Sequence, residues 1–440
     1  MDQFVQLAVL MCGVLSMFLV WHRTRELINP VSIIFFCFFV PLFFSLFRFS
    51  GLQSNSWHYN TYVAIFTTIG AWLIFPAVVI GFSGARKLRD NELKFMGVVR
   101  DRRFSIVSRW FSVVVISAFF LGNYIQSGHL FPFVYPEAAF QLHTNFPFAL
   151  RFFARAVPAA LVLLYVSYWV SRKKVDLFLI CLVFVLPLTR LSRIDVALAI
   201  VALVVMYLAI PIFSLSRKRL FLIFCVLLAV VVGGAELGNL RQNRFGEYAF
   251  KYSNFIGWRP DVVGPAEVLP VLYGYFPLSF ENFDSFVRQF SGDYTLFLIS
   301  FDWLFTGFLK LNWFTSYSQA QAAGFNFQAI SSAANVPTAL SPFYSDFGPV
   351  FMAVPMMLYM TFWLVLYYRA KSSLRALMVY SIYTGAFALS SFQAIIAAPL
   401  LVHQIFEIVL IFWFVDRLRK RRLSTFGDGR LFSRCDEKGA

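Results

Sequence analysis

LVLLYVSYWVSRKKVDLFLICLVFVLPLTR, residues 161–190, consists of two apolar runs joined by one basic turn. A helix needs about 20 apolar residues to cross the hydrocarbon core of a bilayer. Each run therefore predicts a membrane span, the second a short one. Lys and Arg accumulate in cytoplasmic loops, so the turn Arg172, Lys173 and Lys174 is expected inside.

The same unit recurs along the chain. On that template there are about eleven spans, at roughly 3–20, 31–49, 61–82, 105–125, 152–171, 175–189, 195–213, 220–237, 349–368, 376–394 and 399–415. The expected fold is an all-α polytopic membrane protein with one large extracytoplasmic loop carrying short amphipathic helices. It divides into an N-terminal bundle of about eight spans (1–237), the loop (238–348), about three C-terminal spans (349–415) and a basic cytoplasmic tail (416–440).

Composition agrees. The chain is 59% hydrophobic and 14% charged, with mean hydropathy +0.70, whereas soluble chains carry about 25% charged residues. The net charge of +16 is not a nucleic-acid signature, because the basic residues cluster between apolar runs. The partner this implies is the lipid bilayer. Cys12, Cys37, Cys181 and Cys225 lie inside spans and Cys435 in the tail, none with the spacing of a disulfide framework or metal site. The first apolar run follows Met1 without a basic n-region or a small-residue cleavage site, so it reads as a retained helix.

The basic turns alternate with the other loops. They include Arg23 and Arg25, the cluster over 86–103, Arg172–Lys174, Arg217–Arg219, Arg369–Arg375 and the tail. With Arg109 they hold 27 of the 38 Lys and Arg, leaving 11 on the other side. That bias puts the C-terminus in the cytoplasm and residues 238–348 outside, in a loop too long to be a mere connection.

The 11 exceptions carry information: Arg48, Arg151, Arg155, Arg190, Arg193, Arg241, Arg244, Lys251, Arg259, Arg288 and Lys310. Most are Arg, whose planar fork suits bidentate phosphate contacts. Arg190 and Arg193, in the turn TRLSRID, join two spans too short to cross fully, so the turn is expected below the outer surface. Charge at that depth marks a functional site, unless it pairs with Asp195 or snorkels. Arg241 and Arg244, in LGNLRQNRFGE, share a helix face and could clamp a pyrophosphate or touch lipid headgroups.

Within the loop, YFPLSFENFDSFVRQ (275–289) predicts a short amphipathic helix with Glu281, Asp284 and Arg288 on one face, most simply a solvated ion-pair face. TLFLISFDWLFTGFLKLNWF (295–314) predicts an interfacial or re-entrant segment. The five histidines form no metal-ligand spacing. His403, with Gln404 near the outer end of the last span, is a candidate cavity residue. H-E-x-x-H, D-x-D and Gly-rich phosphate loops are absent from the sequence, so neither a metal nor a cofactor is expected.

The loop closes on AANVPTALSPFYSDFGPVF (333–351). Asn335, Val336, Thr338, Leu340, Phe343, Tyr344, Asp346, Phe347 and Gly348 resemble a signature of the bacterial oligosaccharide repeat-unit polymerases, the Wzy-type O-antigen polymerases. Arg193 in SRIDVALAI resembles that family's Arg at the outer start of a span, and the plan of many spans with one large outer loop is similar. The resemblance implies an inner-membrane glycosyltransferase that needs no metal. It would use undecaprenyl-pyrophosphate-linked oligosaccharide as donor and acceptor at the periplasmic face, with a chain-length regulator and a flippase as candidate partners. It implies pyrophosphate binding by Arg190, Arg193, Arg241 and Arg244. Asp346 or His403 would be general base, and Glu281, Asp284, Arg288, Asn335, Thr338 and Tyr344 would contact sugar or acceptor. Asp346 could instead cap the following helix. The alternatives are an O-antigen ligase, which uses the same donor, and a transporter or flippase of the lipid-linked sugar. Repeat symmetry between the two halves, expected of many transporters, is not visible.

Overall fold

The computed structural model describes residues 1–26, 29–83, 102–132, 148–190, 193–210, 252–259, 268–290, 293–308, 329–330, 337–393 and 395–426. Among these, regular structure is helical, and extended backbone pairs once, in an isolated bridge between Ser50 and Trp258. The main helices are α1 (Asp2–Thr24), α2 (Pro30–Ser45), α3 (Tyr59–Phe82), α4 (Arg102–Ser127), α5 (Phe148–Ala154), α6 (Val157–Ser171) and α7 (Lys174–Val185). They continue as α8 (Arg193–Ala209), α9 (Val268–Tyr275), α10 (Leu278–Gln289), α11 (Leu340–Phe351), α12 (Ala353–Ala370), α13 (Leu374–Ala388) and α14 (Pro399–Phe426).

Every apolar run expected from the sequence that falls on described residues is helical; the eighth, 220–237, lies outside them. Among the described residues, three helices, α1, α3 and α4, are long and apolar enough to cross a membrane, and the bent pair α11–α12 makes a fourth if taken as one span. α7 ends at Val185, before the end of the expected run 175–189, and gives way to a tighter 3₁₀ turn, Leu186–Arg190. α14 continues into the basic tail as far as Phe426.

Local chemistry explains the helix limits. Asn29 caps α2 by accepting from the Ser32 N–H at 2.9 Å, with Pro30 in the first turn. Arg25 and Arg172 close α1 and α6 in the left-handed conformation. Pro41 and Pro76 lie within α2 and α3, and a π-helical turn precedes each, Phe35–Phe39 and Ile69–Ile74. Widening the helix there accommodates the missing N–H and the ring, so both helices continue.

The helix ends form two sets. At one, the loop end, the Asp2 carboxylate at the start of α1 pairs with Arg48 beyond α2 at 2.6 Å and accepts from Tyr62 in α3. At the other, the basic end, Tyr367 of α12 donates to Glu26 beyond α1 at 2.5 Å and Lys371 lies 3.8 Å from it. There too Arg109 of α4 grips Asp176 of α7 with two bonds, 2.6 and 2.9 Å. Arg375 and Asp416 approach to 3.8 Å. The expected basic turns on described residues thus share one end.

α13 is the axis: Leu374 and every residue from Leu377 to Ala388 are buried. A helix apolar all round belongs inside a bundle. It packs on α8, α12 and α14, with Phe387 stacked on Trp363 at 4.1 Å. α1 is the opposite case, exposing Phe4, Leu7, Met11, Val14, Leu15 and Phe18 along one side.

α11 meets α12 at 118°. The bend sits at Gly348, φ 70° and ψ −175°, a region essentially restricted to glycine. A Cβ there would lie 2.6 Å from the Tyr294 hydroxyl. Gly348→Ala should therefore cost about 1–3 kcal/mol and lower the melting temperature of the detergent-solubilised protein. Melting identical to wild type would show that the bend does not need glycine.

Candidate functional site

Polar side chains gather at the loop end in three groups. The first is built around Arg190. The 3₁₀ turn after α7 directs its side chain against the last turns of α4. There the Arg190 Nε donates to Asn123 Oδ1, its Nη2 donates to the Phe119 carbonyl at 3.3 Å, and its guanidinium lies 3.9 Å from the Phe119 ring centroid. Asn123 is itself oriented, because its amide donates to the Leu130 carbonyl at 3.0 Å and to Thr189 at 3.3 Å. Burial lowers the Arg190 pKa, with Asp195 raising it and Arg155 lowering it, to about 10. The group is therefore cationic at neutral pH. Arg193 starts α8 beside it, but its side chain is outside the described residues.

α14 completes this group. Gln404 donates to the Arg155 carbonyl at 3.1 Å, tying α14 to the junction of α5 and α6. The half-buried His403 ring lies 5.5 Å from that of Phe152. Arg155 and Arg190 thus bring two guanidiniums into one electrostatic neighbourhood, with an imidazole on the helix bonded to the Arg155 backbone.

The second group contains Glu281 and Asp284 of α10. The helix is as expected, but the solvated ion-pair face is corrected: both carboxylates are buried, and only Arg288 reaches the surface. Their partners lie in the loop between α2 and α3, in the first turn of α3 and, for Arg288, in α10 itself. Glu281 accepts from the Ser54 N–H at 2.7 Å and from Trp57 Nε1 at 2.8 Å. Asp284 accepts from the His58 N–H at 2.6 Å, from Thr61 at 2.7 Å and from Arg288 at 2.6 Å. Arg288 also donates to the Ser56 carbonyl at 2.6 Å. The group anchors α10 onto the loop entering α3, and the bonded carboxylates are poorly placed to take up sugar.

The third group surrounds Asp346, which is 0% exposed. The side chains of Thr295 and Ser300 donate to its carboxylate, as do the Ile299 N–H at 3.1 Å and the Ser300 N–H at 2.7 Å. An ionised carboxylate offers about four lone-pair positions, and these donors occupy them. Asp346 does not cap the following span. The chain turns at Gly348 and the helix resumes at Pro349, whereas the backbone its carboxylate holds is 295–300. Tyr344 is packed against Phe283, Phe286 and Phe290, at 5.8, 6.1 and 5.4 Å. Thr338 orders the start of α11, accepting from the Leu340 N–H at 3.3 Å.

In the first group the structure thus sets Arg190 against the end of α4, and His403, on the helix bonded to the Arg155 carbonyl, against Phe152. It places Glu281, Asp284 and Arg288 in a second and Thr338, Tyr344 and Asp346 in a third. Arg241, Arg244 and Asn335 lie outside the described residues. Sequence reasoning overlooked Asn123, an amide at the end of an apolar run, for which no pattern stood out. It also overlooked Glu407, an acid inside the last apolar run, where the lone charge was itself a signal. No protein family, curated protein or solved structure matches the chain.

Asp346→Asn would turn an NH₂ toward two donors. Each buried group left unsatisfied costs about 1–3 kcal/mol, so this variant should melt lower and accumulate less in membranes. Whatever activity the protein has should persist per folded molecule. Wild-type stability with abolished activity would instead return Asp346 to the reacting atoms.

Proposed function

We propose that the protein is a bacterial inner-membrane glycosyltransferase that polymerises undecaprenyl-pyrophosphate-linked oligosaccharide repeat units into O-antigen or a related surface polysaccharide. In this reading the chain crosses the membrane about eleven times. The loop end faces the periplasm and the basic end, with the C-terminus, faces the cytoplasm. The basic turns at one end support that orientation.

The observation that carries the reading is Arg190. A cation held by Asn123, the Phe119 carbonyl and the Phe119 ring at the end of an apolar bundle suits a diphosphate entering beside the bilayer. When an acceptor hydroxyl attacks the anomeric carbon of the donor, the C–O bond to diphosphate breaks and negative charge grows on the departing oxygens. Oriented guanidiniums stabilise that charge where water is scarce. Arg190, with Arg155 nearby and Arg193 at the start of α8, would supply it without metal. His403, on the same side of the bundle, is the candidate to accept the hydroxyl proton. Asp346 is a poor candidate, its carboxylate being engaged by the 295–300 segment. The Wzy-like stretch then has a structural part, setting the bend between α11 and α12.

A deletion strain tests the reading through its lipopolysaccharide. One retained repeat unit with no ladder fits a polymerase. Loss of every repeat fits a ligase or flippase and would overturn the proposal. At equal membrane abundance Arg190→Ala should reduce polymer roughly 10²-fold, the usual effect of removing one oriented charge donor. Arg190→Lys should rescue poorly, because an ammonium lacks the fork. Ladders of wild-type intensity from both variants would remove Arg190 from the mechanism.

Orientation is tested separately. Alkaline phosphatase fused near Gly292 should be active, and fusions after Arg219 or Arg422 inactive. An active C-terminal fusion would invert the topology.

A further inference from the structure

Six Asp, Glu or Lys side chains among the described residues are buried: Asp176, Glu281, Asp284, Asp346, Lys371 and Glu407. Five have charged or hydrogen-bonding partners. Asp176 is paired with Arg109, and Lys371 lies near Glu26. The other three carboxylates hold backbone and side-chain donors. Glu407 differs: it is 0% exposed, and among the described residues neither oxygen has a hydrogen-bond partner.

Its position makes this informative. Glu407 lies about 12 Å along α14 from Pro399, at 1.5 Å per residue. It belongs to the inward stripe Leu401, Gln404, Glu407, Ile408, Ile411 and Val415, all buried. α14 packs on α4, α6 and α13, so the carboxyl faces protein and not lipid. An ionised carboxylate left there alone would carry a desolvation penalty of several kcal/mol. The site leaves no surface for solvent, and a proton is the one counter-ion that needs no room.

Gln404 points the same way. It is 0% exposed, and its NH₂ donates to the Arg155 carbonyl, so its Oε1 is directed elsewhere; that oxygen too has no donor among the described residues. Residues three apart share a helix face. One face thus carries the acceptor oxygen of an amide and the two oxygens of a carboxyl, with no donor for any of them. A proton on Glu407 removes the unpaired charge, and it turns one of these oxygens into a donor on a face that otherwise offers only acceptors.

We propose that Glu407 is a proton-binding site inside the bundle, occupied at rest. Its side chain is held as a neutral carboxylic acid one helical turn below Gln404 and His403. The site places an exchangeable proton behind the Arg155–Arg190 group, and this holds whichever reaction the loop end performs.

Infrared difference spectroscopy of the full chain in liposomes tests it directly. Wild type minus Glu407→Gln at neutral pH should show the C=O stretch of a protonated carboxylic acid, shifted in D₂O. Glu407→Gln, a neutral near-isostere of the acid, should insert and melt like wild type. The paired bands of a carboxylate in place of the acid band would overturn the proposal. So would a Gln variant that fails to fold or melts well below wild type, which would mean that an ionised Glu407 is matched by a cation.

Discussion

The loop end depends on carboxylates that collect backbone N–H groups. Glu281 and Asp284 gather the donors of residues 54–61, and Asp346 those of residues 295–300. Irregular chain at the mouth of an apolar bundle has few helical bonds of its own, and each orphaned N–H beneath the surface is costly. Asp346 meets two of them at once, and Glu281 and Asp284 meet one each together with side-chain donors. α10 is fixed to the connection into α3, and α11 to residues 295–300, in this way. Phe283 of α10 packs on Tyr344 of α11, and Tyr275 and Phe276 pack on Phe392 beyond the end of α13.

This gives the charged side chains two different tasks. Carboxylates that gather donors from distant loop segments serve as anchors, Asp284 with the help of Arg288. Arg190, resting on an amide, a carbonyl and a ring, presents a cation at the end of the bundle. The basic end uses charge differently again: Arg109 with Asp176, and Lys371 with Glu26, join helix to helix in matched pairs.

The helices were legible because apolar length and basic turns are local properties, and the limits of α3 and α4 follow those runs closely, whereas α13 ends six residues before its run does. What the sequence concealed was partnership. Glu281 and Arg288 at helical spacing look like a solvated face, and nothing nearby reveals that the partner of Glu281 is the Ser54 N–H, 227 residues away. The NVPTAL…YSDFG stretch marked a special place, but the carboxylate within it turned out to be engaged by residues 46 to 51 positions earlier. Glu407 was within reach, since an acid inside an apolar run is conspicuous by its cost.

The two ends of α1 have a consequence for how the protein is made. Its first residues are held by Arg48 and Tyr62, which follow soon in the chain, whereas Glu26 at its far end is held by Tyr367, 341 residues later. A contact of such separation cannot form until the C-terminal third has left the ribosome and entered the bilayer. The latch at its far end therefore closes late, on a helix that already packs along the Phe75–Phe82 part of α3. A chain arrested before residue 367 would lack the Tyr367–Glu26 bond, a feature by which quality-control proteases could tell it from the finished protein.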